Sequence, residues 1–176
     1  PLGGYVMDIT GEAISVQSHV FTIASTSPAG VAGSTSVLTS VSLYDENGAV
    51  VAGPVDGVAT TATATGGNQT VTFTDTITYP VGKHTYTLKG KVPSGVAGGS
   101  TYITTATTMS SITGQTTGNT ISSPSLGFTM NTMTVKAAAL AVTQSSSPAA
   151  QTIVAGGTGV TFANFQLDAS QSGEDV

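Results

Sequence analysis

Between Val71 and Tyr79 the chain reads Val-Thr-Phe-Thr-Asp-Thr-Ile-Thr-Tyr, with threonine at every even position and apolar residues at the odd ones except Asp75. A period of two is the signature of a strand with one buried face, because successive side chains point to opposite sides. Pro80-Val81-Gly82 breaks the pattern, and alternation resumes over 83–92 with His84, Tyr86, Leu88 and Val92 on one face. These two runs predict a hairpin. A second hairpin is predicted over 41–51, where Asn47-Gly48 suits the positive φ values of a type I′ turn and Gly53-Pro54 ends the second arm.

Further strands are predicted at 13–23, 100–109, 128–135, 139–143, 151–155 and 159–168, separated by Gly, Ser, Pro and Asn clusters. The total is about eight to ten short strands. Alternation changes parity where Ile14 and Val16 give way to Phe21 and Ile23, and again where Val160 and Phe162 give way to Phe165 and Leu167. Each change predicts a bulge or a switch between sheets. The stretches 57–69 and 93–99 read as mobile or edge connections around a single core.

Composition agrees with an all-β chain. Ser and Thr make up roughly 30% of the 176 residues, there are 22 glycines, and only 7% of residues are charged against 39% hydrophobic. Low charge with that much apolar content is not the signature of disorder, and residues that favour helices are scarce. Four lysines, no arginine and a net charge of -5 leave no basic surface for a phosphate backbone or an anionic membrane, so nucleic-acid binding is not expected. The absence of cysteine removes disulfides and thiolate chemistry together, so the core must carry stability alone. No apolar window of about 18 residues exists, so no membrane insertion is expected, and the first residues lack a signal-peptide pattern. Any export signal is expected to have been removed or to lie outside this chain.

The two ends of the chain resemble each other. Residues 2–10, Leu-Gly-Gly-Tyr-Val-Met-Asp-Ile-Thr, align without a gap on 162–170, Phe-Ala-Asn-Phe-Gln-Leu-Asp-Ala-Ser, pairing Tyr5 with Phe165, Met7 with Leu167 and Asp8 with Asp168. After two extra residues, Gly11-Glu12 aligns with Gly173-Glu174. This places a β-sandwich domain at 1–136 and a C-terminal strand segment at 137–176, a linker followed by the opening strand of a next copy. Val160, Phe162, Phe165 and Leu167 are the residues expected to enter a neighbour's groove. An open strand edge offers backbone hydrogen bonds and apolar burial together, and a joint between unlike surfaces builds a fibre rather than a closed dimer.

The segments 41–54, 86–90, 116–121 and 161–176 resemble tandem immunoglobulin-like β-sandwich repeats of prokaryotic cell-surface and extracellular filament proteins. The resemblance implies an immunoglobulin-like sandwich, an extracellular or cell-surface location, and copies of the chain itself as partners, joined head to tail covalently or by donated strands as in pilus-like polymers. Glycoprotein character and contact with surface glycans belong to the same picture.

Chemistry is sparse. His19 and His84 lie in predicted strands, away from any nucleophile motif, and read as partly exposed strand histidines; no catalytic residue and no enzyme is expected. Asp168, Glu174 and Asp175, with Asp8 and Glu12 at the matching end, are the candidate ligands for a Ca²⁺ at a repeat junction, although a solvated acidic turn is the commoner use of such residues; no other cofactor is expected. Asp45-Glu46-Asn47-Gly48 reads as turn chemistry, and Asp75 as either a buried hydrogen-bonded carboxylate or an edge marker. The threonines at 70, 72, 74, 76 and 78 suit a wet strand face, an O-glycan coat or a hydroxyl array facing ice or carbohydrate. Asn68-Gln69-Thr70 has the N-glycan acceptor pattern. The expected function is a structural subunit or repeat of an extracellular filament; the alternative is an adhesin-like stalk or binding module for a glycan or surface ligand.

Overall fold

The computed structural model describes residues 1–31, 37–63 and 66–170, with side chains left aside at 62 and 63. The described chain is all-β and its sheets are antiparallel. Two compact units are present, Pro1–Val135 and Lys136–Val176.

In the first unit, β1 (Gly3–Ile9), β8 (Gly82–Lys91), β3 (Thr39–Tyr44) and β4 (Val50–Val55) form a four-stranded sheet in the order β1-β8-β3-β4. A larger sheet runs β10 (Thr120–Ile121), β9 (Thr101–Gly114), β2 (Ile14–Thr26), β6 (Gly66–Phe73), β5 (Val58–Thr63), with β11 (Met133–Thr134) on β9 and β7 (Ile77–Tyr79) on β2. Alternation in each sheet turns one face inward. Leu2, just before β1, and Tyr5, Val41, Leu43, Tyr86 and Leu88 from the smaller sheet meet Phe21, Ile23, Val71, Phe73, Ile77 and Tyr79 from the larger in one buried cluster. Ring contacts of Tyr5 with Phe21 and of Tyr79 with Tyr86 cross between the sheets. The layers therefore pack face to face, as in a β-sandwich.

The alternation from Val71 to Tyr79 holds for burial, but the strand is broken. β6 ends at Phe73 and β7 starts at Ile77; opposite them β2 spends two residues, Gln17 and Ser18, where this segment spends three. Asp75 sits in that break, exposed, and its Oδ2 accepts the Gly53 N–H at 2.8 Å. The lone acid thus ties the larger sheet to β4 of the smaller one. Gly53 is required there: its φ is +91°, and a Cβ would lie 2.6 Å from the Val41 carbonyl oxygen.

The predicted hairpin between 71–79 and 83–92 is not formed. β7 pairs with β2 in one sheet and β8 with β1 and β3 in the other, so Pro80-Val81 crosses the sandwich. Both runs carry large apolar residues on one face, and placing them in opposite layers lets Tyr79 and Tyr86 pack edge to face. The second predicted hairpin exists as β3–β4, but its turn is not type I′: of Asn47 and Gly48, only Gly48 has positive φ, at 82°. Gly48 N–H bonds to Asp45 O and Asp45 N–H to Ala49 O, the pattern of a type I turn closed by a glycine bulge. The Asp45 carboxylate locks it by accepting the Asn47 and Ala49 N–H groups.

Parity along β2 changes between Val16 and His19, opposite the β6–β7 break, and pairing with β9 slips again between Val20 and Phe21. The region 57–69 holds the edge strand β5 and the start of β6, while 128–135 follows β9 with the short strand β11, a bridge at Thr129 and backbone hydrogen bonds at Phe128, Met130 and Val135. No strand forms over 151–155, and of 159–168 only β13 (Phe165–Asp168) is a strand, paired with β12 (Ala141–Gln144) in the second unit. Glycine at 156, 157 and 159 interrupts the apolar run that predicted more.

Candidate functional site

Of the two histidines, His84 is a partly exposed strand residue as expected and His19 is not. His19 is buried, not partly exposed: the β2 slip turns it inward beside Phe21 and Tyr5. Its Nδ1 lies 3.3 Å from Tyr79 Oη, which is 2.9 Å from Tyr5 Oη. Burial lowers the His19 pKa to about 4 and, with the neighbouring Tyr79, pushes the Tyr5 phenol up. A consistent arrangement has Tyr5 donating to Tyr79 and Tyr79 donating to neutral His19. The remaining His19 Nε2 has no hydrogen-bond partner among the described residues. His84 is half-buried; its Nδ1 meets Glu46 Oε1 at 2.8 Å and its Nε2 meets the Val81 carbonyl at 3.2 Å. The Glu46 hydrogen bond raises the His84 pKa.

The acids are dispersed into local roles. Asp8 pairs with Lys83 at 3.6 Å across β1 and β8. Glu12 accepts the Thr116 and Thr117 N–H groups and the Thr117 hydroxyl, capping the turn after β9, and these bonds lower its pKa. Asp168 accepts the Ser170 N–H at 2.8 Å, and its pKa is lowered by bonding to Ser170. Glu174 and Asp175 lie outside the described residues. Among the described residues no three His, Asp or Glu side chains gather as a metal site would require. No helix among them is long and apolar enough to cross a membrane.

Asn68 is exposed on β6, opposite Ala24 of β2, with its backbone N–H and carbonyl held by the Thr61 and Thr60 hydroxyls of β5. The threonine surface is wider than one strand. Thr129, Thr105, Thr22 and Thr70 stand abreast on neighbouring strands, with Thr22 Oγ1 3.2 Å from Thr107 Oγ1 and Thr105 Oγ1 3.1 Å from Thr129 Oγ1. Single-strand periodicity missed this row because it depends on inter-strand register; aligning the threonines of 22, 70 and 105 as pairing partners would have found it.

The C-terminal unit carries the clearest anomaly. Phe162, Phe165 and Leu167 are 81%, 70% and 58% exposed, while Val160 is partly buried. β13 pairs with β12 through Gln144 opposite Phe165 and Val142 opposite Leu167, and every residue of both strands is exposed. Their counterparts at the other end behave oppositely: Leu2 and Tyr5 are core residues, and Met7 packs against that core. β1 and β13 are therefore both strands with the same apolar spacing, one buried and one bare. The chain matches no protein-family model, no curated protein and no solved structure.

Proposed function

We propose that this chain is a non-enzymatic structural subunit or repeat of an extracellular filament or surface array, assembling head to tail with copies of itself. The observation that carries the reading is the exposure of Phe162, just before β13, and of Phe165 and Leu167 on β13, in a segment whose sequence pattern repeats that of residues 2–10. A soluble unit has little use for a row of bare apolar side chains unless another surface covers it. In the reading offered here β13 opens a following sandwich, and Phe165 and Leu167 are buried there as Tyr5 and Met7 are buried in this one. The immunoglobulin-like relationship is supported by strand order: β2-β6-β5 and β3-β8 sit as strands B-E-D and C-F do in such domains. It departs from that plan at the ends, because β1 lies beside β8 and β9 beside β2. Extracellular placement rests on the resemblance of segments 41–54 and 161–176 to surface repeats.

Electron microscopy of the purified chain tests the proposal. Regular linear polymers are expected, and a chain ending at Lys136 should remain monomeric while keeping its β-rich circular dichroism spectrum. Monomers for both chains would overturn the filament reading.

A further inference from the structure

The assembly reading leaves open which edge of the sandwich receives the neighbour, and β1 stands out among the strands that end a sheet. β1 forms one border of the four-stranded sheet and, among the described residues, pairs with β8 alone, over seven residues without a register shift. It contains neither proline nor lysine, the usual guards of an edge. The other borders are blunted: β4 carries Gly53-Pro54 and two register shifts, β5 is shifted between Ala59 and Thr61, and β10 is two residues long. Along β1, Met7 and Ile9 are only partly buried at the rim of the core.

The molecule also holds a strand already paired with a sequence of this pattern. In the C-terminal hairpin Ala141 stands opposite Asp168, Val142 opposite Leu167, Thr143 opposite Gln166 and Gln144 opposite Phe165. Replacing each β13 residue by its aligned counterpart in β1 puts Ala141 opposite Asp8, Val142 opposite Met7, Thr143 opposite Val6 and Gln144 opposite Tyr5. One step further along the same register, Leu140 meets Ile9. Leu140 and Val142, 52% and 61% exposed, then fall on the face that Met7 and Ile9 share, while Thr143 falls on the outer face with exposed Val6.

We infer that the free edge of β1 is the docking edge for β12 of a second copy of this chain, in the antiparallel register that β12 now holds with β13. This inference rests on the head-to-tail reading and names its joint. β13 is displaced at small cost, because the pair it leaves is four residues long and all its side chains are exposed. β1 cannot slip in exchange, because a one-residue shift would turn Tyr5 out of the core. In a covalent array β13 is itself the first strand of the following copy and keeps β12 at its outer edge; where the neighbour is a separate chain that already has its own β1, β12 pairs with that β1 in the same register and β13 gives up its place.

Cysteine pairs read this register directly, since the chain has none of its own. Full-length Met7→Cys and Val142→Cys chains, mixed and oxidised, should give a disulfide-linked heterodimer of twice the 17.3 kDa chain mass on a non-reducing gel. Val6→Cys mixed with Val142→Cys should crosslink at least tenfold more slowly, because Val6 faces the opposite side. Ile9→Cys with Leu140→Cys repeats the test if Met7→Cys fails to fold. Equal crosslinking of the Val6 and Met7 chains would overturn the inference, as would a bridge formed within single chains of the Met7→Cys/Val142→Cys double variant at high dilution. Polymers of the unmodified chain without the selective crosslink would sink this joint and leave the filament reading standing; monomers without any crosslink would sink both.

Discussion

The hydroxyls of Tyr5 and Tyr79 meet 2.9 Å apart inside the sandwich, one from the first strand of the smaller sheet and the other from a short strand of the larger. Tyr79 then reaches His19, so three polar groups from three different strands meet inside the core. Buried polar groups are tolerated when they satisfy one another, and removing the middle member leaves both neighbours short. Tyr79→Phe should therefore destabilise the protein by about 2–4 kcal/mol, against about 1–2 kcal/mol for Tyr5→Phe, which leaves the Tyr79–His19 contact in place. Urea titrations followed by tyrosine fluorescence compare the two; equal losses would show that the chain of bonds is not ordered through Tyr79.

His19 makes stability depend on pH. Its folded pKa of about 4 lies below the ordinary 6.5, so between those values the unfolded chain takes up a proton that the fold refuses. Stability should fall as pH drops from about 6.5 to about 4, by roughly 2–4 kcal/mol in total. His84 works the other way: its pKa is raised by Glu46, so its contribution is present below 6.5 and is lost as pH rises through the raised value. Glu12, Glu46 and Asp168, all lowered by hydrogen bonds, add losses only as pH falls through the acid range. Thermal melts across pH 4–7 should show the decline for the native sequence and a flatter profile for His19→Gln; parallel profiles would remove His19 as the source.

Gly53 is a point where two sheets and a turn meet. The left-handed φ of +91°, the Val41 carbonyl 2.6 Å from the position of a Cβ, and Phe73 Cε1 at 3.0 Å leave no room for a side chain. Gly53→Ala should cost about 2–4 kcal/mol through backbone strain and forced repacking. Asp75→Ala, which only deprives the exposed Gly53 N–H of its acceptor, should cost about 1 kcal/mol or less. Denaturation midpoints of the two variants rank the effects, and a reversed order would show that the carboxylate, not the glycine, holds this corner.

Much of the fold was legible because half-buried strands write alternation into the sequence: Val71, Phe73, Ile77 and Tyr79 are buried and the threonines at 72, 74, 76 and 78 are exposed. What alternation does not encode is the partner. The runs ending at Tyr79 and containing Tyr86 read as two arms of a hairpin because only the Pro80-Val81-Gly82 break lies between them, yet burial is equally served by crossing to the opposite sheet. His19 was misplaced because the sequence marks a parity change only somewhere between Val16 and Phe21, and pairing puts it before His19, where three residues of one segment oppose two of β2. In the C-terminal unit the apolar pattern over 159–168 marked a strand, of which Phe165–Asp168 forms, but alternation could not show that its side chains are exposed.

Tyr5 and Phe165 occupy matching places in the likeness between the two ends of the chain, and their environments are opposite: Tyr5 is 7% exposed and Phe165 70%. The same truncation should therefore have opposite consequences. Tyr5→Ala removes a ring that contacts His19, Phe21, Tyr86 and Phe128, and should cost about 3–5 kcal/mol. Phe165→Ala removes a ring that touches solvent, and in the isolated chain should change stability by no more than about 0.5 kcal/mol. If, as proposed, Phe165 takes the place of Tyr5 in a following sandwich, its truncation within a covalent dimer of two copies that share this strand should cost as much as Tyr5→Ala does now. Chemical denaturation of the single chain and of the tandem dimer separates these cases. A Phe165 substitution that is silent in both would mean that β13 is not the first strand of a following copy.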